Sequence, residues 1–215
     1  MLFGGIDEAG RGPALGPMVL AVAVAEKQHE ERLIELGVKD SKLLSPQERE
    51  RQYKEIVKIV PAYASVHIHA PEMDALMDRH SLNEIEAMKI GGLLNALNQK
   101  PEVVWVDSPD PVQHFFSTRI SKYISFSCTI KSEHKADINH PIVSAASIIA
   151  KVQRDEEIQK LANTYGEMGS GYSHDPLTIA FIQRWLKEHG TLPPFARKQW
   201  ETSQRLLDER YQTKL

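Results

Sequence analysis

The sequence predicts an α/β protein in which a mixed sheet is flanked by helices and followed by a helical C-terminal part. Three observations predict this class. Strand-like apolar segments dominate the start of the 215-residue chain, strands and amphipathic helices then alternate, and only helical patterns remain near the end. With 41% hydrophobic residues, the chain can bury a sizeable core. Disordered and fibrous classes are thereby excluded.

The predicted strands are short and are bounded by turn signals or helix starts. They cover residues 2–7, 18–25, 62–69, 103–106 and 123–130. In the last of them, alternating apolar residues that end in Cys128 and Ile130 predict a strand with a buried thiol.

Residues with capping chemistry mark the predicted helices. Ser45 and Ser81 each stand three residues before a glutamate, as in a capping box, and Asp175 stands before a proline. Gly166 and Gly190 are expected to end helices. The predicted helices cover residues 45–60, 81–97, 112–121, 144–165, 175–190 and 198–211.

Composition excludes several classes of protein. The net charge of −3 gives no global attraction to nucleic acid. One cysteine can neither close an internal disulfide nor build a cysteine-based zinc site, which favours a reducing compartment. The longest apolar run, residues 18–25, is far shorter than a bilayer span, and acidic residues stand where a signal peptide would be basic. We therefore expect a cytoplasmic protein with no membrane partner.

Carboxylates mark the ends of two predicted strands. Asp7 and Glu8 end the first strand, Asp107 ends the fourth, and Asp137 precedes a long helix. Ligands bind at such strand ends in α/β sheets. Because consecutive strand residues point to opposite faces, Asp7 and Glu8 can share a ligand only if the chain turns there, and we expect the following Ala-Gly to supply the turn.

Converging carboxylates repel one another unless a divalent cation neutralises them. All-oxygen ligation favours Mg²⁺ or Mn²⁺ over zinc. Each acid taken alone is better explained as a cap, a turn or a surface residue. The metal-site hypothesis therefore depends on the four acids in combination.

The loop after Glu8 carries phosphate-binding chemistry. Gly10 and Gly12 let backbone N–H groups approach a phosphate closely, and Arg11 adds a charged donor. A Gly-Arg-Gly pattern is weak by itself. Beside two carboxylates at a strand end, it predicts a site for a phosphodiester.

Five sequence blocks in a fixed order resemble the type 2 ribonucleases H, the ribonuclease HII family. They are GIDEAGRGPALGP at 5–17, DSKLL at 40–44, VWVDSP at 104–109, KADINHPIVSAASIIAKVQRD at 135–155 and GSGYSHDP at 169–176. The resemblance implies a ribonuclease H-like fold with a central mixed five-stranded sheet. It also implies a catalytic domain at residues 1–165 and a C-terminal helical subdomain at 166–215 that helps to hold the duplex.

The resemblance assigns roles to individual residues. The catalytic and metal-binding carboxylates would be Asp7, Glu8, Asp107 and Asp137. The loop that grips the backbone at an RNA-to-DNA junction would be Gly10, Arg11 and Gly12. Tyr172 matches the tyrosine that stacks on the deoxyribose after a lone ribonucleotide, and Lys42 matches a lysine near the bound backbone. The family usually has proline after the tyrosine, and its replacement by Ser173 here bears on the rigidity of that loop.

The activity that the resemblance implies is a two-metal-ion endoribonuclease that uses Mg²⁺ or Mn²⁺. It would cut the RNA strand of RNA/DNA hybrids, and it would cut 5′ of single ribonucleotides in duplex DNA to leave 3′-hydroxyl and 5′-phosphate ends. Its partners would be these two nucleic acids, with the protein a monomer. Arg154 and Asp155 are interpreted as a structural pair, and Lys151 is left open.

The C-terminal segment QRLLDERY, residues 204–211, resembles a sliding-clamp-binding peptide in which Arg210 replaces one aromatic residue. An amphipathic helix packed on the body of the protein is the alternative interpretation.

Two other functions stay open. A non-catalytic nucleic-acid-binding module would have lost some of the four acids, all of which are present. A nuclease of the same fold that acts on DNA junctions would not need the Gly-Arg-Gly loop together with Tyr172. A cleavage assay separates both from a ribonucleotide reader.

Overall fold

The computed structural model describes residues 1–212 and the side chains of residues 1–210. Its sheet contains β1 (Phe3–Ala9), β2 (Met18–Ala25), β3 (Ala62–Ile68), β4 (Val103–Asp107) and β5 (Thr129–Glu133), in the order β3-β2-β1-β4-β5. β1 is antiparallel to β2 and parallel to β4, and β4 is parallel to β5. The predicted mixed five-stranded sheet is confirmed.

Helices connect the strands and form the end of the chain. Within residues 1–212 they are α1 (Lys27–Leu36), α2 (Pro46–Ile59), α3 (Ala70–Met77), α4 (Leu82–Ala96), α5 (Gln113–Ser121), α6 (Ala136–Asn139), α7 (Pro141–Tyr165), α8 (Pro176–His189) and α9 (Glu201–Gln212), with a 3-10 turn at Ser41–Leu43. In the part of the chain that the structure describes, none of these helices has both the length and the apolarity of a membrane span.

Side-chain caps begin three helices where the sequence predicts them. The Ser45 and Ser81 hydroxyls each accept the backbone N–H of the glutamate three residues later, at 3.2 and 3.3 Å. The Asp175 carboxylate accepts a backbone N–H two residues later at 3.0 Å. Gly190, with a φ of +82°, ends α8. These bonds are local in the chain, which is why the helix starts can be recognised from sequence.

The chain forms two compact units, which we describe separately. The first comprises residues 1–9, 19–66 and 81–153, and the second comprises residues 10–18, 67–80 and the chain from 154 onward. The first unit contains most of the sheet. The functional division predicted between residues 165 and 166 remains a prediction.

The core of the first unit lies between the sheet and α7. Residues 19–25 of β2 are buried throughout, and the first half of α7 covers the neighbouring β1. Gly5 makes this close contact possible, since a Cβ there would lie 2.4 Å from the backbone carbonyl carbon of Ile142. α7 therefore lies directly on β1, two residues before Asp7.

The second unit has its own apolar core. Ala14 and Leu15, from the segment between β1 and β2, are completely buried. They belong to one apolar cluster with Phe181 of α8 and Leu206 of α9. The loop after β1 is thus anchored among the C-terminal helices of its unit.

The predicted strand at residues 123–130 is wrong over most of its length. Only its last two residues belong to a strand, and Cys128 lies outside β5 and is half-buried. Asn95 instead satisfies the preceding backbone, because it donates to the Tyr123 carbonyl and accepts the Ser125 N–H, both at 2.8 Å. Side-chain hydrogen bonds from α4 therefore replace the ladder that the alternating pattern suggested.

Candidate active site

Asp7 and Glu8 lie side by side within β1. They are paired in the antiparallel ladder with Ala21 and Leu20, so the backbone there is extended. The turn begins only at Gly10, where φ is +80°, because the ladder holds the backbone extended through Ala9. The expectation that a turn brings Asp7 and Glu8 to one face is therefore wrong: consecutive residues of an extended strand point to opposite faces, and Glu8 influences Asp7 through its charge. Asp7 is 8% exposed, and its Oδ1 accepts the Glu8 N–H at 2.8 Å.

Asp107 and Asp137 come from neighbouring elements of the first unit. Asp107 ends β4, which runs parallel beside β1. Its Oδ1 accepts the backbone N–H of Ala136 at 3.1 Å, and this bond ties the end of β4 to α6, where Asp137 is buried. Lys135 turns the chain into α6 with a φ of +59°. We call Asp7, Glu8, Asp107 and Asp137 the acidic cluster.

Burial and mutual repulsion raise the pKa of two carboxyls in the cluster. Burial is the largest cause for Asp7, whose pKa lies well above its usual value, and the charges of Glu8 and Asp107 raise it further. The pKa of Asp137 is raised first by burial and then by Asp40 and Asp107. The carboxylates are therefore close enough to disfavour one another's charge.

Lys42 brings positive charge into the same field. It lies in the 3-10 turn Ser41–Leu43. Partial burial acts to lower the pKa of Lys42, but the charges of Asp40, Asp7 and Asp137 outweigh it and raise the pKa above its usual value. The structure thus brings Lys42 into the field of the acidic cluster. Its predicted place near a bound backbone stays a prediction.

A divalent cation fits the cluster by donor type and charge. All donors are carboxylate oxygens, and the repulsion that raises the pKa of Asp7 and Asp137 is what a cation relieves. Among residues 1–210, no three acidic, histidine or cysteine side chains form a ready-made chelate.

In the second unit, one buried arginine holds the Gly10–Gly12 loop. Arg197 donates to the carbonyl oxygens of Gly10, Arg11 and Gly16, the last two at 2.9 and 3.1 Å. Gly10 is required here, because its φ is positive and a Cβ would lie 2.7 Å from the carbonyl oxygen of Pro17. These three hydrogen bonds from Arg197 fix the backbone conformation of the loop.

Tyr172 lies against the same loop. The Gly171 carbonyl accepts the N–H groups of Ala14 and Leu15 at 2.8 and 3.2 Å. A Cβ on Gly12 would lie 3.9 Å from Cε1 of Tyr172. Within the second unit, the structure therefore brings the Gly-Arg-Gly loop and Tyr172 together.

The buried side chain of Arg154 packs against the ring of Tyr172. Its guanidinium carbon lies 5.2 Å from the centre of the Tyr172 ring, and Nη2 donates to the Ser170 carbonyl at 2.7 Å. The expected pair with Asp155 is present at 3.6 Å. Arg154 is 1% exposed, and burial lowers its pKa. Burial, followed by the charge of Arg154, also lowers the pKa of Arg197 to about 9.

Hydrogen bonds stiffen the Tyr172 loop in place of proline. The Asp175 carboxylate accepts the Ser170 N–H and hydroxyl at 2.6 and 2.7 Å, and the Asp175 N–H donates to the Tyr172 carbonyl at 3.1 Å. These hydrogen bonds hold the loop conformation although Ser173 stands where the family usually has proline.

Four further residues near these groups are not evident as site residues from the sequence: Asp40, Ser41, Ser147 and Arg197. The first two fall in the block at 40–44 and Ser147 in the block at 135–155, so their place in the motifs was a usable signal. Arg197 lies in a loop outside the five sequence blocks, so its role becomes visible only in the tertiary structure.

Comparisons with known proteins agree with this fold. The ribonuclease HII family model matches residues 4–203. Ribonuclease HII of Pyrococcus horikoshii is 44% identical over 211 residues, which are 98% of this chain and 94% of that protein. The crystal structure of that organism's ribonuclease H2 matches with a TM-score of 0.92 and covers 99% of each chain.

Two further solved structures are similar. The PCNA:RNase HII complex from Archaeoglobus fulgidus contains a chain that matches with a TM-score of 0.85 at 37% identity, over 94% of this chain and 96% of that one. Bst-RNase HIII in complex with Mn²⁺ matches with a TM-score of 0.83 at 23% identity, over 99% of this chain and 71% of that one, and shares the fold.

The mixed sheet with helices on its faces is a ribonuclease H-like fold. The chain belongs to the ribonuclease HII family. Family membership supports a ribonuclease H hydrolase that acts on RNA/DNA hybrids.

Proposed function

We propose that the acidic cluster binds two divalent cations, Mg²⁺ or Mn²⁺, and that the enzyme cuts 5′ of a ribonucleotide, in hybrids and at single ribonucleotides in duplex DNA. The observation that carries the proposal is the placement of the acids: Asp7 lies on β1, Asp107 ends the neighbouring parallel strand β4, and the bond from the Ala136 N–H to Asp107 holds α6 and Asp137 beside it. The raised pKa values of Asp7 and Asp137 support this placement. Bound cations at such a site activate water and neutralise charge on the phosphate.

The chain's own residues hold and orient these ligands. The Ala136 N–H fixes one oxygen of Asp107, and the Glu8 N–H fixes one oxygen of Asp7. The remaining carboxylate oxygens are the candidate ligands. Lys42, whose charge is stabilised by the acids, would contact the anionic backbone of the substrate. No covalent intermediate is required, and the products carry 3′-hydroxyl and 5′-phosphate ends.

The second unit supplies the groups for reading the ribonucleotide. Gly10 and Gly12 place backbone N–H groups without side chains in the way, and Arg11 offers a charged donor to a phosphate. Tyr172, held by Arg154, offers a flat ring to a sugar that lacks a 2′-hydroxyl. We propose that this pair of features selects the junction between RNA and DNA.

The test is a cleavage assay with Mg²⁺ or Mn²⁺ on a DNA duplex that contains one ribonucleotide, with all-DNA and RNA/DNA duplexes beside it. We expect cleavage of the first and third duplexes, with the cut 5′ of the ribonucleotide, and none of the second. Binding without cleavage at any metal concentration would identify a non-catalytic module. Cleavage of branched DNA but of neither ribonucleotide substrate would identify a junction nuclease.

A sliding clamp is a second proposed partner, supported by the Archaeoglobus fulgidus complex and by the QRLLDERY segment. In the structure this segment lies in α9, where Leu206 is 2% exposed and Arg210 donates to the Gly190 carbonyl at 2.8 Å. This packing favours the alternative of a structural helix. The side chain of Tyr211 lies outside the described residues. Clamp capture that survives deletion of residues 204–215 would refute the contact.

A further inference from the structure

Two buried serines link the acidic cluster to the turn that carries Lys42. The hydroxyl oxygens of Ser41 and Ser147 are 2.9 Å apart, and the two residues are 3% and 4% exposed. Ser147 lies in the part of α7 that packs on β1, and a hydrogen bond from its side chain acts to lower the pKa of Asp7, against the effect of burial. A chain of two hydroxyls thus leads from the 3-10 turn through α7 to Asp7 on β1. The two serines are 106 residues apart in the sequence.

The direction of these bonds follows from proton counting. A serine hydroxyl has one proton to donate, and an ionised carboxylate only accepts. Ser147 therefore donates to Asp7 when Asp7 is ionised, as a metal ligand must be. The Ser147 proton is then committed, so the bond between the serines can form only if Ser41 donates to Ser147.

Both ends of this chain are anchored. The Ser41 carbonyl accepts from Nη1 of Arg49 at 2.9 Å, and the same nitrogen donates to the Leu44 carbonyl at 2.6 Å. Arg49 itself is buried, at 8% exposed. Ser147 lies in the half of α7 that Gly5 allows to pack directly on β1. Neither hydroxyl can turn away without leaving a buried polar group unsatisfied, at a cost of roughly 1–3 kcal/mol.

We propose that Ser41 and Ser147 form a one-way hydroxyl relay that orients the Asp7 carboxylate for a divalent cation and locks the Lys42 turn beside it. Both serines are positioning residues, since neither would touch the substrate. The proposal rests on the proposed metal-binding function of the acidic cluster. Hydrogen-bonding partners of this kind set the orientation of metal ligands in other proteins, and losing one typically costs about 10–100-fold in metal affinity.

The experiment measures Mn²⁺ binding to the intact protein by titration calorimetry, without nucleic acid. We expect Ser147→Ala to weaken binding about 10–100-fold and Ser41→Ala to weaken it less, since Ser147 would still donate to Asp7. The double variant should match Ser147→Ala, because the relay acts in series and Ser41 reaches Asp7 only through Ser147. Ser203→Ala is the matched control. Its hydroxyl is fully buried and has no hydrogen-bond partner among the described residues, so Mn²⁺ affinity should not change.

Three outcomes would overturn the relay: unchanged Mn²⁺ affinity in Ser147→Ala, a double variant whose loss equals the sum of the single losses, or an equal loss in Ser203→Ala. A thermal melt of each metal-free variant, followed by circular dichroism, identifies any that does not fold. The Ser41→Ala variant then tests the relay through its smaller expected loss. Failure of the proposed function would look different. In that case the unaltered protein would bind no Mn²⁺, or Asp7→Asn would leave its Mn²⁺ binding unchanged.

Discussion

At the scale of single residues, we expect substitutions of the acids and of Arg11 to have different effects. A metal ligand acts mainly in the transition state, whereas a phosphate contact acts before and during the reaction. The distinction matters because Asp7 and Glu8 precede Arg11 by only a few residues. Separate measurements of cleavage and binding can assign a role to each.

Asp7→Asn and Asp107→Asn should each abolish cleavage while substrate affinity stays within about a few-fold, since loss of a ligand removes transition-state stabilisation and spares the backbone contacts. Asp137→Asn should be milder if this carboxylate binds an ion less directly. Turnover is measured on a duplex with one ribonucleotide, and affinity by fluorescence anisotropy. Near-normal turnover of either of the first two variants at any Mg²⁺ or Mn²⁺ concentration would contradict the metal-site assignment.

Arg11→Ala should weaken substrate binding and flatten its dependence on salt. Each phosphate contact that is lost lowers the slope of log affinity against log salt by about 0.9 for duplex DNA. Binding is measured at several salt concentrations, with the unaltered protein as control. Unchanged affinity and unchanged slope would show that residues 10–12 form only a turn.

At the scale of elements, the contact of α7 with β1 and the loop of Tyr172 are the two features on which the proposed function depends. The first sets the position of Ser147 relative to Asp7 within the first unit. The second places an aromatic ring beside the Gly-Arg-Gly loop of the second unit. Each can be altered by one substitution.

Gly5→Ala should destabilise the protein by about 1–3 kcal/mol, because the added methyl group would contact rigid backbone and force α7 away from β1. Gly92→Ala is the control: nothing lies within 4 Å of its added Cβ, so the better helix former should stabilise α4 by up to about 1 kcal/mol. Urea denaturation of both variants measures the difference. Equal stabilities would mean that α7 shifts without cost.

Tyr172→Ala should reduce cleavage at a lone ribonucleotide more than cleavage within a long RNA/DNA hybrid. The ring can pack on a sugar without a 2′-hydroxyl, and in a long hybrid the following sugar carries that hydroxyl. The ratio of kcat/KM on the two substrates is the measurement. Equal losses, or a lower Tm with an unchanged ratio, would make Tyr172 a packing residue.

At the scale of the whole molecule, the acidic cluster costs stability when no metal is bound. The pKa of Asp7 is raised in the folded protein, so the folded state holds its proton more tightly than the unfolded state. The stability tied to this group is fully present below the ordinary pKa of 3.8 and is lost as the pH rises through the raised value. The carboxylate that we propose as a metal ligand thus opposes folding at neutral pH.

Asp7→Asn should therefore raise the Tm of the metal-free protein, and the difference from the unaltered protein should grow from pH 4 towards pH 8. For a chain of this size, each kcal/mol relieved is worth about 2–4 °C. Melting curves in a chelating buffer measure it. Adding Mg²⁺ should then raise the Tm of the unaltered protein and leave that of the variant in place. A constant difference across the pH range would show that burial of Asp7 carries no charge penalty.

The sequence by itself determined the class of fold, the strands that carry Asp7 and Asp107, and the starts of α2, α4 and α8. These features depend on periodicity and on caps that act within a few residues, so the local chain contains the information. The order of motif blocks likewise placed the acids and the Gly-Arg-Gly loop. The strand predicted at residues 123–130 is wrong over most of its length because Asn95, 28 residues before Tyr123, satisfies that backbone.

Only the tertiary structure decided how the site residues are held. Arg197 donates to Gly16 across 181 residues of chain, and Ser41 meets Ser147 across 106. No periodicity encodes such pairs, because a hydrogen bond between distant segments exists only after the sheet and α7 have packed. The raised pKa of Asp7 is decided in the same way, since burial and neighbouring charge belong to the folded chain and not to the residue.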